Sequence, residues 1–155
     1  MVITDTNATV SVKRKGKAIS EGTDILYNGD ELTIEAEGAE GYDVTTLTVN
    51  GEDIESGDKI TVSGKVTIVA TGTLKTFDLE RTVTDCTIAV TKGGQAVSDG
   101  EDVLTYGDVL TITASVEEGY EMKSLKVNGE DFVSGETLTV DGDVEIIGVA
   151  EAEEE

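Results

Sequence analysis

Apolar and polar residues alternate in short runs along this chain, the period-two pattern of strands with one buried face. Thr9-Val10-Ser11-Val12, Glu31-Leu32-Thr33-Ile34-Glu35-Ala36 and Thr46-Leu47-Thr48-Val49 each show it. Turn residues separate the runs. Gly16 interrupts the polar stretch 13–17, Asn28-Gly29-Asp30 precedes the second run, and Asn50-Gly51 follows the third directly. Asn-Gly tolerates positive φ at both central positions of a type I′ turn, so a hairpin is predicted there, returning through residues 52–54. Lys59-Ile60-Thr61-Val62 and Lys65-Val66-Thr67-Ile68-Val69-Ala70 come next, split by Ser63-Gly64. The pattern predicts an all-β protein with little or no helix.

The whole pattern is written twice. Offset by 78 residues, positions 8–70 align with 86–148 without a gap, and 30 of 63 positions are identical. Gly29-Asp30 meets Gly107-Asp108, Leu32-Thr33-Ile34 meets Leu110-Thr111-Ile112, and Val49-Asn50-Gly51-Glu52-Asp53 meets Val127-Asn128-Gly129-Glu130-Asp131. A period of this length reads as a tandem duplication of a small β module. Strands are therefore expected again over 87–90, 109–114, 124–127, 137–140 and 143–149. The period of two sets sidedness: Leu47, Val49, Ile60, Val62, Val66 and Ile68 face one core, and Leu125, Val127, Leu138, Val140, Val144 and Ile146 another. The two modules divide at 1–77 and 78–155. The segment Thr71 to Asp85 lacks Pro and is not Gly/Ser-rich, and Phe77 and Leu79 alternate with polar neighbours, so part of it is expected to pair with a module.

Composition narrows the function. The 155 residues include 19 Val and 22 Thr, the β-branched content that disordered acidic chains lack. Lys and Arg number 11 against 33 Asp and Glu, a formal charge of −22. Such a polyanion repels nucleic acid and anionic membranes, so neither is expected as a partner. No His is present, which removes the commonest metal ligand and the usual proton shuttle near neutral pH. The single Cys86 stands where the first copy has Ala8 and is read as a small hydrophobe facing a core. No run approaches the roughly 18 apolar residues that span a bilayer.

The strings GYDVTTLTVNGEDIESGDKITVSGKVTIVA and GYEMKSLKVNGEDFVSGETLTVDGDVEIIGVA resemble the bacterial surface-protein β-repeats related to internalin B-repeats. Gly-Tyr, a Leu-x-Val-Asn-Gly hairpin, a Ser-Gly turn and a closing strand pair carry the resemblance, strongly over about 30 residues per copy and loosely over all 63 aligned positions. The resemblance implies small β-grasp-like or sandwich-like modules. It also implies spacer or adhesive roles in bacterial surface proteins, with similar domains in their phages. It transfers no catalytic residue, because its pattern consists of turn and core positions.

Candidate chemistry is sparse. Glu52-Asp53 and Glu130-Asp131 recur beside hairpins, but adjacent strand residues point to opposite faces, so neither pair lines one pocket; they read as solvated turn residues. Acidic turns at Asn28-Gly29-Asp30, Asp99-Gly100-Glu101-Asp102 and Asp141-Gly142-Asp143 offer oxygen ligands, yet none has the spacing of a full calcium loop. No cofactor, metal or catalytic residue is assigned. Lys13, Arg14, Lys15 and Lys17 cluster at one turn of a first half that carries −6, against −16 in the second. They form a candidate docking patch, the plainer reading being a hairpin end that guards a sheet edge. Tyr42 and Tyr120 are candidate surface contacts, the plainer reading being rings that cap their own cores. Glu151-Ala152-Glu153-Glu154-Glu155 reads as a solvated, frayed end.

The expectation is a non-enzymatic structural or adhesion protein. As written, the sequence starts at Met1 and shows neither a leader nor a wall anchor. On that basis a phage capsid decoration or head-fibre protein is expected, displayed on the virion surface after synthesis in the host cytoplasm, with a capsid or other particle protein as partner and room for a homo-oligomer. A repeat fragment of a bacterial cell-surface adhesin is the alternative. A carbohydrate-binding accessory module is a third reading, weakened by the absence of Trp and the presence of only 4 Tyr and 2 Phe.

Overall fold

The computed structural model describes residues 1–153 and is all-β, with no helix among them. It divides into two compact units, Met1–Leu74 and the chain from Lys75 onward. In the first unit the strands are β1 (Val2–Thr6), β2 (Ala8–Arg14), β3 (Lys17–Ile19), β4 (Glu31–Gly38), β5 (Tyr42–Val49), β6 (Glu52–Asp53), β7 (Lys59–Thr61) and β8 (Thr67–Leu74). They form two four-stranded sheets, ordered β1-β8-β5-β6 and β3-β2-β4-β7. In the second unit they are β9 (Thr76–Thr84), β10 (Thr87–Lys92), β11 (Gln95–Ala96), β12 (Gly100–Thr105), β13 (Val109–Ser115), β14 (Tyr120–Val127), β15 (Glu130–Asp131), β16 (Thr137–Thr139) and β17 (Val144–Ala152). Their sheets run β12-β9-β17-β14-β15 and β11-β10-β13-β16.

Each unit buries its core between its two sheets. In the first, Val12, Leu32 and Ile34 from one sheet meet Leu47, Val49, Ile68 and Ala70 from the other; in the second, Val90, Leu110 and Ile112 meet Leu125, Val127 and Ile146. Of the two architectures that the resemblance implied, each unit is the sandwich. The alternation sorted the faces: Leu47, Val49, Val62, Val66 and Ile68 are buried and Ile60 is partly so, with the same division in the second unit. Asn50 and Gly51 both have positive φ, at 52° and 86°, as a type I′ turn requires. The Asn50 carboxamide Oδ1 also accepts from Thr67 N at 2.9 Å, and Asn128 does the same for Glu145 N at 2.8 Å. The recurring Asn thus shapes its hairpin and ties it to the next strand.

The duplication extends beyond the sequence match. β1 pairs parallel with β8, Val2 opposite Thr67 and Thr6 opposite Thr71. β9 pairs parallel with β17 in the same register, Glu80 opposite Glu145 and Thr84 opposite Val149. The segment entering the second unit is therefore a strand of that unit. At the other end, Glu151 and Ala152 pair with Glu121 and Tyr120, and Glu153 N donates to Gly119 O at 2.9 Å. That much of the acidic tail is laddered into the sheet, correcting the expectation of a frayed end, because β14 offers backbone partners that far; Glu154 and Glu155 lie outside the described residues.

One exchange of volume between the cores is compensated within the second unit. Ala8, Val10 and Ala70 of the first unit correspond to Cys86, Ile88 and Gly148 of the second. A Cβ added to Gly148 would lie 2.7 Å from Ile88 Cδ1 and 2.9 Å from Cys86 Sγ. Larger residues on β9–β10 are thus accommodated by a smaller one on β17, which keeps the packed volume. Gly148→Ala is expected to cost the second unit about 1–3 kcal/mol. Adding Cys86→Ala and Ile88→Val, which reproduces the first unit's set, recovers most of the loss. Urea unfolding of the single, double and triple variants checks this, and simple additivity would refute the exchange.

Candidate functional site

The basic cluster sits on the β2–β3 hairpin, whose tip Lys15-Gly16 takes positive φ at both residues, 53° and 79°. Pairing of β2 with β4 brings acidic side chains to two of its four cations. Lys13 Nζ lies 2.6 Å from Glu35 Oε2, and Arg14 Nη1 lies 2.8 Å from Asp30 Oδ2 while also donating to Ile25 O at 2.9 Å. The Arg14 guanidinium is raised further above its ordinary range by Asp30. Lys15 and Lys17 are the exposed members. The cluster is therefore a mixed group, two bases holding the local fold and two facing solvent.

Tyr42 and Tyr120 open β5 and β14 and are half-buried in their units. Their surroundings differ. In the first unit Gly38 and Gly72 let three backbones close together, and Ala39 N donates to Asn7 O at 3.0 Å. The second unit has Val116 and Ala150 at those places. There a shallow open depression of about 300 Å³ is lined by Asp85, Cys86, Thr87, Ser115, Val116, Glu117 and Tyr120. Cys86 is partly exposed on its wall instead of being sealed in the core, since it flanks this opening.

The carboxylates do not converge. Glu52, Asp53, Glu130 and Asp131 are all exposed on β6 and β15, and the described residues hold no group of three or more Cys, Asp or Glu that could bind a metal ion. The acidic turns instead accept from backbone. Asp30 Oδ2 accepts from Tyr27 N at 2.9 Å, and Asp108 Oδ2 from Thr105 N at 2.8 Å and from Lys92 Nζ at 3.0 Å. The Tyr27 N–H, helped by Arg14, holds the Asp30 carboxyl below its ordinary range. For Asp108 partial burial pushes upward, but the Thr105 N–H and Lys92 outweigh it and the carboxyl is again lowered.

A group with a depressed folded-state pKa contributes stability above its unfolded value and loses it as pH falls through the folded one. Both units should therefore lose stability as pH falls below the ordinary Asp value of 3.8. Asp30→Asn should flatten that acid limb in the first unit only, as read from urea midpoints between about pH 2.5 and 7. An unchanged acid limb would show that the bracket carries no protonation-linked stability.

One recurring feature and one confined to the second copy escaped the sequence reading. Ser56 Oγ accepts from Ala36 N at 2.9 Å and donates to Ala36 O at 3.1 Å, and Ser134 treats Ala114 identically at 2.9 and 3.2 Å. Both serines are identical between the copies, the one signal available. Arg81, by contrast, pairs with Asp99 at 2.5 Å and donates to Ile88 O at 2.9 Å, where the first copy has Ile3 and Glu21. Three recurring polar positions, Asp30, Asn50 and Ser56 with their counterparts, are engaged in shaping backbone.

Among known proteins, residues 84–149 match the divergent InlB B-repeat domain. Among solved structures the chain is similar to the major pilin protein of Streptococcus pyogenes, at 13% identity over 98% of this chain and 95% of that one, with a TM-score of 0.42. It is also similar to a C-terminal fragment of the pilus adhesin SpaC from Lactobacillus rhamnosus GG, at 12% identity over 99% and 97%, with a TM-score of 0.37. No curated protein matches it. The Asn128-Gly129 hairpin, the Ser134-Gly135 turn and the closing strand pair all fall inside the matched residues, so it is the second unit that is similar to a divergent InlB B-repeat domain.

Proposed function

We propose that this chain is a structural, non-enzymatic part of a bacterial surface protein, its two sandwiches serving as spacer and contact modules. The match of residues 84–149 to a B-repeat domain carries the reading. The fold supports it, because the recurring Asp30, Asn50 and Ser56 serve backbone geometry. The same match favours the bacterial cell surface over a virion. The net charge of −22 keeps such a display module soluble and discourages self-association. Lys15 and Lys17 at the hairpin tip are the cations available to an acidic partner. The half-buried Tyr42 and Tyr120 make poor sugar platforms, since a stacking face needs to be open.

Immunogold labelling of intact source cells, with antibody raised against the purified chain, tests the reading. Label on the outer surface of unbroken cells is expected. Label confined to the cytosol, or to purified virions, would overturn it.

A further inference from the structure

Four asparagines occur in the chain, and three of them, Asn28, Asn50 and Asn128, precede a glycine. Asn-Gly is open to loss of ammonia. No side chain shields the following nitrogen, and glycine lets the backbone swing toward the carboxamide. The bond that forms runs from the Gly nitrogen to Asn Cγ, so the reaction needs two things of the fold. The nitrogen must be free to lose its proton, and the carboxamide must be free to leave its present partners.

At Asn28 the first condition fails, because Gly29 N donates to Val62 O at 2.8 Å. Asn50 and Asn128 meet it. They sit in matching exposed turns, with φ 52° and 86° in the first unit and 51° and 82° in the second, and neither Gly51 N nor Gly129 N has an acceptor among the described residues. The second condition separates them. Asn50 is held by one bond, its Oδ1 accepting from Thr67 N at 2.9 Å. Asn128 is held by two, Oδ1 accepting from Glu145 N at 2.8 Å and Nδ2 donating to Asp143 O at 3.1 Å. The amine that must depart is thus tethered in the second unit and loose in the first. The hairpins differ in the same sense. Lys126 Nζ lies 3.6 Å from Asp131 Oδ1 across β14 and β15, whereas Thr48 stands opposite Asp53 across β5 and β6. Both return strands are two residues long at a sheet edge, where local opening costs least.

We propose that Asn50 is a site of spontaneous deamidation and isoaspartate formation in the folded chain, ahead of Asn28 and Asn128. Gly51 N gives up its proton and attacks Asn50 Cγ. The N–Cγ bond forms, the Cγ–Nδ2 bond breaks, and Nδ2 leaves with that proton as ammonia. A water then opens the cyclic succinimide. Entry at Cγ breaks the new N–Cγ bond and leaves aspartate. Entry at the main-chain carbonyl carbon breaks the original peptide bond and leaves isoaspartate, the chain now running through Cβ and Cγ. No oxidant or reductant takes part. Either product adds a carboxylate to the first unit. Isoaspartate also adds a main-chain carbon to a tight turn whose register sets Val49 opposite Glu52. β6 then loses its pairing, and Ile54 N loses its acceptor, Leu47 O at 3.0 Å. The inference rests on the difference between the two hairpins and is independent of the surface role.

The test incubates the full native chain at mildly alkaline pH and physiological temperature. Peptide mapping with fragmentation that resolves isoaspartate follows each asparagine, and the same chain unfolded in guanidinium is the reference. In the folded chain, conversion at Asn50 is expected to exceed that at Asn128 by about two- to tenfold, the worth of one hydrogen bond, and to exceed that at Asn28 as well. In the unfolded chain the three rates converge, since all three asparagines precede Gly. The isoaspartate form, separated by its added charge, should lose amide protection at Ile54 by about tenfold or more, while Phe132 N, on Leu125 O at 2.9 Å, keeps its own. Asn28 or Asn128 converting as fast as Asn50 in the folded chain overturns the assignment, as does a folded chain unchanged at Asn50 while the unfolded one reacts. A ratio that persists in guanidinium overturns the hydrogen-bond account. Full protection at Ile54 in the isoaspartate form overturns the loss of the hairpin.

Discussion

Gly72→Ala is expected to destabilise the first unit by about 3–5 kcal/mol, a large share of its stability. Gly72 lies on β8, opposite Val44 and beside the irregularity between Val44 and Thr46. A Cβ there would overlap the Asn7 carbonyl oxygen and lie 3.3 Å from Tyr42 Cβ. Asn7 has φ 53° and links β1 to β2, the corner at which the chain leaves one sheet for the other. Its carbonyl is already fixed by Ala39 N at 3.0 Å. A side chain in the way could change rotamer, whereas a carbonyl at a corner moves only by shifting both strands that meet there. The second unit supplies the control, because it buries Ala150 at this position. Ala150→Gly should cost only about 0.5–1 kcal/mol, the usual penalty for added backbone freedom. Urea unfolding followed by resolved amide signals of each unit checks both. A Gly72→Ala chain whose first-unit midpoint stays unchanged would show that the backbones do not approach this closely.

The same contrast shows what a single sequence can and cannot convey. Strands with one wet face were legible, since alternation is local: Leu47 and Val49 read inward, and Asn50-Gly51 gave its turn away. β9 was legible as a strand that pairs with a module, from the alternation at Phe77 and Leu79, though its parallel partner was not; β1 was not legible, because Val2-Ile3-Thr4 is too short a run and its partner lies some 65 residues on. β12 is the more telling case. Leu26 and Leu104 sit in closely similar strings, yet only one becomes a strand, and the deciding residues, 76–79, lie outside the string altogether. The basic cluster shows the same limit on charge. Four cations close in sequence suggested one patch, and the register of β2 with β4 then brought Asp30 and Glu35 to two of them. Residue type was visible; the partner was a property of the fold.

Ile112→Ala is expected to cost the second unit about 2–5 kcal/mol. Ile112 is fully buried on β13, opposite Val90 of β10, in the core that also holds Leu104, Leu110 and Ile146. Removing its distal carbons gives up their transfer energy and leaves a void that a two-sheet core closes only in part, because the backbone on either side is fixed by ladder bonds. Domains gain about 0.05–0.15 kcal/mol of stability per residue, so a unit of this size holds roughly 4–12 kcal/mol in all. The loss is therefore about a sixth of that at the least, and most of it for a unit at the low end of the range. Val109→Ala, on the same strand but 51% exposed, removes a similar side chain from solvent and should stay within about 0.5 kcal/mol. Ile34→Ala should reproduce the Ile112→Ala loss in the first unit, since Ile34 is equally buried at the matching position. Amide exchange under native conditions reads these changes unit by unit. If Ile112→Ala and Val109→Ala were equally mild, the facing sheets would not be the source of the stability assigned to them. If Ile112→Ala alone collapsed protection across β10, β13 and β17, burial between the sheets, and not strand pairing by itself, would be what holds the sandwich closed.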